Sequence, residues 1–229
     1  PIRHHGKLLL DISPSRLFDE MLKLFMAGSA TATFQLLLDH DLLQHLFPAT
    51  AACVKNDAMG LQLIQQTMTN TDKRIRADQR VTPAFIYAAL LWPAVQAEQR
   101  FLEQKKKMSP LQAQNQAAHK VIGDQLAHTA IPKRFTSVIR EIWDLQLRLP
   151  RRNGSRAERL LEHPRFRAAY DFVLLREEVG EKMDGLGLWW TQYQDADEHG
   201  RELLQQQLTN ATGSKPKRRR RKSKKPSEQ

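Results

Sequence analysis

Five prolines stand where helices are expected to begin, and they constrain the fold more than any other feature of the sequence. They are Pro14, Pro83, Pro110, Pro132 and Pro164, and each precedes a stretch with helical patterning. Proline suits the first turn of a helix, because that position needs no N–H donor and the fixed φ of proline is already helical. No stretch alternates apolar and polar residues for long enough to indicate a strand. The sequence therefore predicts an all-α fold with many irregularly arranged helices.

Composition excludes several classes of protein. The 229 residues can bury a substantial core, and 41% of them are hydrophobic. No apolar run approaches the roughly 18 residues of a membrane-spanning helix, so no transmembrane segment is predicted. The first residues lack the pattern of a secretory signal, and the single cysteine, Cys53, excludes an internal disulfide. We therefore expect a cytoplasmic protein, and the start at Pro1 indicates a fragment, a processed chain or a trimmed one.

The net charge of +11 is concentrated in two segments. Nine of the eleven residues in 215–225 are basic. Seven arginines lie in 148–167 beside only two acids, Glu158 and Glu162. Two basic segments on a nearly neutral scaffold indicate a polyanion as the partner.

The arginines of 148–167 form the first candidate RNA-binding surface. Residues 151–154, Arg-Arg-Asn-Gly, have turn chemistry, and Ser155-x-x-Glu158 is a capping box that would begin the next helix. A turn followed by a helix N-terminus would offer backbone N–H groups and guanidinium forks to phosphates. The alternative is a solvated face whose arginines pair with Glu158 and Glu162. The predicted RNA contacts in this segment are Arg148, Arg151, Arg152, Arg156, Arg159, Arg165 and Arg167.

The C-terminal tail, residues 210–229, is the second candidate surface. It has no apolar residue after Ala211, so it cannot offset the entropy cost of ordering, and we expect it to be disordered when free. It also has no aromatic residue to stack on bases, so its binding would be electrostatic and insensitive to sequence. A simple solubility tail is the alternative. The predicted RNA contacts in the tail are Lys217, Arg218, Arg219, Arg220, Arg221 and Lys222.

The sequence assigns no catalytic and no metal-binding residue. Two-metal catalysis needs paired carboxylates on a rigid element. An Asp-x-Asp pair, Asp195 and Asp197, lies in a polar helical stretch, so we interpret the pair as a solvated helix surface. The eight histidines show no spacing typical of metal ligands.

Several sequence strings carry a family resemblance. Arg-Leu-Phe-x-Glu-x-x-Lys-Leu-Phe at 16–25, followed by Leu-Phe-Pro at 46–48, resembles the bacterial poly(A) polymerases, relatives of the CCA-adding tRNA nucleotidyltransferases. Leu-Glu-His-Pro-Arg-Phe-Arg-Ala-Ala-Tyr at 161–170 is the most specific string of that resemblance. Ile-Pro-Lys-Arg, which ends in Lys133 and Arg134, is similar to the family as well, and we predict RNA contacts at these two residues. The resemblance extends over roughly 12–193.

The resemblance implies the C-terminal part of such an enzyme, with lower neck helices in 1–48, a helical RNA-binding body in 49–209 and the tail in 210–229. In the whole enzyme, AMP units from ATP would be added to RNA 3′ ends with Mg²⁺ by a catalytic head that this chain lacks. The chain alone is therefore expected to be inactive and to hold no cofactor, with RNA 3′ ends and the head as its partners. Arg16 and Glu20, four residues apart, would brace the neck below the nucleotide site.

Phe18, Met21, Leu22 and Phe25 form an apolar stripe on the first long helix. This stripe should be partly exposed here if it contacts a head domain.

Two other functions remain possible on the sequence alone. One is a stand-alone helical RNA-binding or chaperone protein. The other is a helical scaffold whose polybasic tail binds a membrane surface.

Overall fold

The computed structural model describes residues 2–212, the last two by their backbone only. This part of the chain contains thirteen α-helices, one 3-10 helix and no strand, which confirms the all-α prediction. None of its helices combines the length and the apolar character that crossing a membrane needs. The disorder predicted for the tail beyond residue 212, and the RNA contacts predicted at 217–222, lie outside the described residues. The helices are α1 (Ile2–His5), α2 (Pro14–Phe25), α3 (Ala30–Asp39), α4 (Leu43–Leu46), α5 (Pro48–Val54), α6 (Ala58–Arg76), α7 (Pro83–Lys106), α8 (Pro110–Gln125), α9 (Lys133–Arg148), α10 (Ser155–Leu161), α11 (Phe166–Glu178), α12 (Leu186–Asp195) and α13 (Glu198–Thr212), with the 3-10 helix at Gly6–Asp11.

Proline sets several of the helix starts. Pro14, Pro83 and Pro110 are the first residues of α2, α7 and α8, as predicted. Pro132 directly precedes α9, and Pro164 lies two residues before α11. The predicted start is therefore confirmed for three helices, and the other two helices begin one or two residues after the predicted proline.

Helix α7 is the centre of the larger of two apolar cores. Its residues 86–95 are all buried, and α5, α6, α8 and α9 pack around it. The indole Nε1 of Trp143 in α9 donates to the carbonyl oxygen of Ala88 at 3.1 Å. The hydroxyl of Thr50 in α5 donates to the carbonyl oxygen of Leu90 at 2.8 Å. Because 86–95 are covered on every side, this half of α7 is apolar all round and lacks an amphipathic pattern.

Helix α2 packs against α7 and the start of α9. The ring of Phe18 lies 5.8 Å from the ring of Phe135 in α9. Phe18, Met21 and Phe25 are at most 3% exposed, and Leu22 is half-buried. The expectation of a partly exposed stripe is therefore wrong for three of its four residues, because helices of this same chain cover them.

A smaller core, rich in aromatic residues, lies at the other end of α9. Trp190 and Tyr193 of α12 pack edge to face with their ring centroids 5.7 Å apart, and Trp190 Nε1 donates to the carbonyl oxygen of Leu149 at 3.2 Å. Helices α9 and α11 contribute side chains to both cores. Apolar residues before and after residue 48 belong to the same larger core. The boundary between the two cores therefore lies within α9 and α11, and not at residue 48. The division into 1–48 and 49–209 stays a prediction.

Asp72 of α6 fastens the start of α3. Its buried carboxylate accepts the N–H of Ala30 at 2.6 Å and the N–H of Thr31 at 3.0 Å. Ala30 is the first residue of α3, so Asp72 satisfies two N–H groups that a helix leaves without intrahelical partners. Two hydrogen bonds to one carboxylate offset the cost of burying it.

Candidate nucleic-acid interface

One face of α9 carries a line of polar and charged side chains. Lys133, Ser137, Arg140, Asp144 and Arg148 are three or four residues apart, so they lie on the same side of the helix. The opposite side of α9 is buried in the two cores. At about 1.5 Å per residue, this line, which we call the α9 stripe, is about 22 Å long.

The α9 stripe ends at a turn with two consecutive arginines in different surroundings. Arg151 is exposed and forms no ion pair within the described part of the chain. Arg152 is half-buried, with its guanidinium carbon 4.9 Å from the centroid of the Trp189 ring. Burial lowers the pKa of the Arg152 guanidinium, and its Nε has no hydrogen-bond partner among the described residues. Arg151 is therefore accessible to a ligand, whereas Arg152 packs the turn onto α12.

A glutamine from α13 holds this turn in place. The N–H of Gly154 donates to Oε1 of Gln205 at 2.8 Å, and Gln205 Nε2 donates to the carbonyl oxygen of Arg152 at 2.9 Å. Gly154 has φ +60° and ψ −146°, a combination that side chains strongly disfavour. Because Gln205 occupies the Gly154 N–H, the turn offers an arginine side chain to a ligand instead of the backbone donor that the sequence suggested.

The predicted capping box at the start of α10 is not formed. Ser155 is already the first helical residue, and its hydroxyl accepts from Arg159 at 3.2 Å. Glu158 accepts instead from the hydroxyl of Tyr193 at 2.6 Å and from Arg201 at 3.4 Å. Burial and the neighbouring Glu158 carboxylate raise the pKa of Tyr193 to about 12, so the phenol stays protonated and keeps donating.

Three of the predicted arginine contacts are neutralised by carboxylates, but not by Glu158 or Glu162. The ion pairs are Arg148 with Asp144 at 3.2 Å, Arg165 with Glu141 at 3.1 Å and Arg167 with Asp171 at 3.1 Å. Exposed pairs of this kind add little stability, yet each lowers the positive charge available to a phosphate. Arg156 is exposed and, like Arg151, has no ion pair among the described residues. Both are therefore better placed than the paired arginines to meet a polyanion.

The predicted residues Lys133 and Arg134 lie at the opposite end of α9. Arg134 folds over the ring of Phe135, with its guanidinium carbon 4.9 Å from the centroid, and about 21 Å of helix separates it from Arg148. The predicted contacts therefore do not form one cluster. Between them lies Arg140, which the sequence prediction missed; it is exposed and has no ion pair within the described part. Its spacing was the available signal, because it stands seven residues after Lys133 on the exposed side of an amphipathic helix.

Arg16 and Glu20, the two residues of the predicted neck brace, form no ion pair with each other, because Glu20 pairs with Lys23. The Nζ of Lys23 donates to Glu20 Oε1 at 2.9 Å, and this hydrogen bond lowers the pKa of Glu20. Arg16 is exposed on the same helix. The role of the two residues as a brace for a catalytic head stays a prediction.

The sequence has two Asp-x-Asp pairs, Asp195 with Asp197 and Asp39 with Asp41, and each lies at the C-terminal end of a helix. Asp195 ends α12, and Oδ1 of Asp197 accepts an N–H from the first turn of α13 at 2.8 Å. The pair thus lies at a break between two helices and not on one continuous helix. Asp39 and Asp41 lie at the C-terminal end of α3, where Arg3 contacts both. In residues 2–212 there is no group of three side chains that could hold a metal ion together.

A cleft formed by three C-terminal helices is acidic. It has a volume of about 900 Å³ and lies between α10, α12 and α13. Its walls carry the carboxylates of Glu158, Asp197, Glu198 and Glu202 against the guanidinium of Arg201. Because like charges repel, this cleft disfavours a phosphate backbone, and the α9 stripe is the more favourable face.

Comparison with known proteins gives the class to which this chain belongs. Residues 106–225 match the family described as "Polymerase A arginine-rich C-terminus", and residues 1–54 match the one described as "Probable RNA and SrmB- binding site of polymerase A". The chain therefore belongs to the arginine-rich C-terminal family of polymerase A, which confirms the resemblance noted from the sequence.

Among its relatives are three bacterial proteins named "Poly(A) polymerase I". The one from Escherichia coli is 43% identical over 199 residues, which are 85% of this chain and 43% of the relative. The one from Salmonella typhimurium is 42% identical over the same share. The one from Haemophilus influenzae is 38% identical over 211 residues, which are 90% of this chain and 46% of the relative. The chain thus spans less than half the length of the curated relatives that it matches.

The match at residues 1–54 concerns a segment to which the sequence prediction had assigned no RNA contact. In the structure this segment lies at the Lys133 end of α9, where the N–H of Ala130 donates to the carbonyl oxygen of Pro14 at 2.9 Å. The segment holds four lysines and arginines against five aspartates and glutamates, so it has no excess of positive charge. The basic helix that adjoins this segment is α9.

Proposed function

We propose that this chain is the RNA-holding part of a poly(A) polymerase and that RNA lies along the α9 stripe. The position of α9 supports this proposal. One end of the helix adjoins the segment that matches a probable RNA-binding site, and its other end leads into the arginine-bearing turn.

The charges on this path favour binding to the phosphate backbone. Lys133, Arg140, Arg151 and Arg156 are exposed and form no ion pair within the described residues. Cations of this kind release counterions from single-stranded RNA and bind it with little regard to sequence. The basic segment at 215–225 would add further electrostatic attraction, because it follows α13 in the same chain.

The chemistry of the whole enzyme is part of the same proposal. In the parent protein, AMP units from ATP would be transferred to RNA 3′ ends with Mg²⁺, on carboxylates of a head outside this chain. Asp195 and Asp197 do not supply that site, because Asp197 caps α13. The task of this chain would be to hold the RNA so that its 3′ end reaches the head.

The test separates binding from catalysis in one preparation. Purified chain is incubated with labelled ATP, Mg²⁺ and a single-stranded RNA primer, and both complex formation and primer length are followed. We expect salt-dependent binding and no extension. The absence of saturable binding at low salt would refute the RNA role. Extension that survives Asp195→Asn and Asp197→Asn would show an active site where none is proposed.

A further inference from the structure

Phe101, near the end of α7, is the one exposed aromatic residue in the described part of the chain. All phenylalanine, tyrosine and tryptophan residues of the sequence lie within the described residues, and every one except Phe101 is buried or half-buried. Phe101 is 49% exposed. A single exposed apolar residue is common on protein surfaces and needs no explanation by itself. The charges that surround Phe101 are what distinguish it.

Three consecutive lysines follow Phe101 at the end of α7 and lead into α8. They are Lys105, Lys106 and Lys107, which we call the lysine turn. Lys105 stands four residues after Phe101, so the two side chains lie on the same side of the helix, with their Cβ atoms about 6 Å apart. All three lysines are exposed and form no ion pair within the described residues.

The two acids that precede the lysine turn on α7 have other partners. Glu98 pairs with Lys120 of α8 at 3.5 Å, and Oε1 of Glu103 accepts a hydrogen bond from Gln99 at 2.9 Å. The lysine turn therefore keeps its positive charge for a ligand.

The backbone of Lys107 supports a role for its side chain. Lys107 ends α7 with φ +54° and ψ +30°, a left-handed conformation that glycine adopts more easily than lysine. The other non-glycine residues with positive φ in the described part are all aspartates, whose short polar side chains tolerate this conformation better. The turn thus carries a third charge at a position whose backbone disfavours a long side chain.

The lysine turn lies at the end of α9 that leads to Arg151. Helix α8 begins at Pro110, just after the turn, and ends eight residues before α9 begins, so the two helices run in opposite directions. Gln114, near the start of α8, accordingly donates a hydrogen bond to the carbonyl oxygen of Trp143, near the end of α9. RNA that follows the α9 stripe as far as Arg151 can therefore continue to the lysine turn.

We propose that Phe101 stacks on one base of single-stranded RNA while the lysine turn binds the neighbouring phosphates. The proposal rests on the proposed RNA-binding function and adds a contact to a base, for which neither the α9 stripe nor the basic tail has an aromatic residue. Proteins that bind single strands combine a basic surface with aromatic side chains, because every base offers a π-face. Stacking requires an unpaired base and does not read the base edges, so this site selects single strands without selecting a sequence.

The test compares oligouridine with an abasic oligomer of the same length, in which hydrogen replaces each base. Binding to the whole 229-residue chain is measured by fluorescence anisotropy at low salt. Phe101→Leu removes the ring and should weaken oligouridine about 5-fold or more, while the abasic oligomer stays within about 2-fold. Phe101→Tyr keeps a ring and should retain the binding of oligouridine within about 2-fold.

Charge and stacking are separated by a second variant. Replacing all three residues of the lysine turn by glutamine should weaken both oligomers alike and reduce the slope of log K against log salt by about 2. Phe101→Leu removes no charge and should leave that slope unchanged. Leu188→Ala, at an exposed apolar residue of α12, is the control and should alter neither affinity nor slope.

The outcomes distinguish this proposal from the one on which it rests. If Phe101→Leu leaves oligouridine unchanged, or weakens the abasic oligomer equally, base stacking is refuted and the phosphate-binding role stands. If no oligomer binds at low salt, the RNA-binding role itself is refuted. Vesicles that contain phosphatidylserine test a membrane surface as the occupant. Loss of vesicle binding in Phe101→Leu, with oligouridine unaffected, would overturn the proposal.

Discussion

Neutralising three cations of the proposed RNA path should flatten the salt dependence of RNA binding by a calculable amount. The substitutions are Lys133→Gln, Arg140→Gln and Arg151→Gln, at exposed residues without ion pairs in the described structure. If each neutralises one phosphate, log K against log salt loses about 0.7 in slope per residue, or about 2.1 in total. Between 50 and 200 mM salt, the variant should therefore lose about 18-fold less affinity than the unaltered chain.

A charge-matched control separates position from net charge. Lys73→Gln, Arg76→Gln and Arg80→Gln remove the same number of charges from exposed residues in the last turn of α6 and in the segment that follows it, outside the α9 stripe. Affinity for a single-stranded RNA is measured by fluorescence anisotropy across the salt series for all three proteins. We expect the α6 variant to keep the original slope within about 0.7. Equal flattening by both triple variants would refute the α9 path and reduce RNA binding to an effect of net charge.

Three further predictions concern the Asp72 carboxylate, the arginine-bearing turn and the basic tail. Asp72→Ala should lower the free energy of unfolding, measured by urea titration, by about 1–3 kcal/mol, because two N–H groups of α3 lose their acceptor. Asp72→Asn keeps one acceptor oxygen and should lower the free energy of unfolding by less. Arg152→Ala should lower the melting temperature by removing the contact with Trp189, whereas Arg151→Ala should leave it unchanged and weaken RNA binding instead; equal melting temperatures of the two variants would contradict the division of roles. Deletion of 215–229 should weaken all RNAs alike and flatten the salt slope, and an unchanged slope would show that the tail is not an RNA-binding element.

The fold class could be predicted from the sequence because its signals are local. Proline at a helix start acts through its own φ and its own missing N–H, so Pro14, Pro83 and Pro110 mark helix starts without any knowledge of the rest of the chain. Contacts between distant residues give no such signal. Asp72 caps α3 from 42 residues away, and nothing near Ala30 in the sequence indicates it.

In the candidate site, too, contacts between distant residues could not be predicted from the sequence. The arginine content of 148–167 was visible, and the pairs of Arg148 with Asp144 and of Arg167 with Asp171 join residues four apart in one helix, a spacing that the sequence also shows. The partners of two other arginines come from distant helices and could not be predicted. Arg165 pairs with Glu141, 24 residues earlier, and Arg152 stacks on Trp189, 37 residues later. Arg140 was missed for a different reason: it is a single arginine in a mixed stretch, and its place on the exposed side of the amphipathic pattern of α9 was the only signal for it.

Photochemical crosslinking tests most directly whether bound RNA lies along α9. Single-stranded RNA containing 4-thiouridine is bound to the whole chain at low salt and irradiated, and the crosslinked peptides are mapped by mass spectrometry. We expect crosslinks in α9 and in the following turn at 149–154, together with the adjoining residues of α8. Crosslinks confined to the acidic cleft between α10, α12 and α13, or to the end of α6, would contradict it.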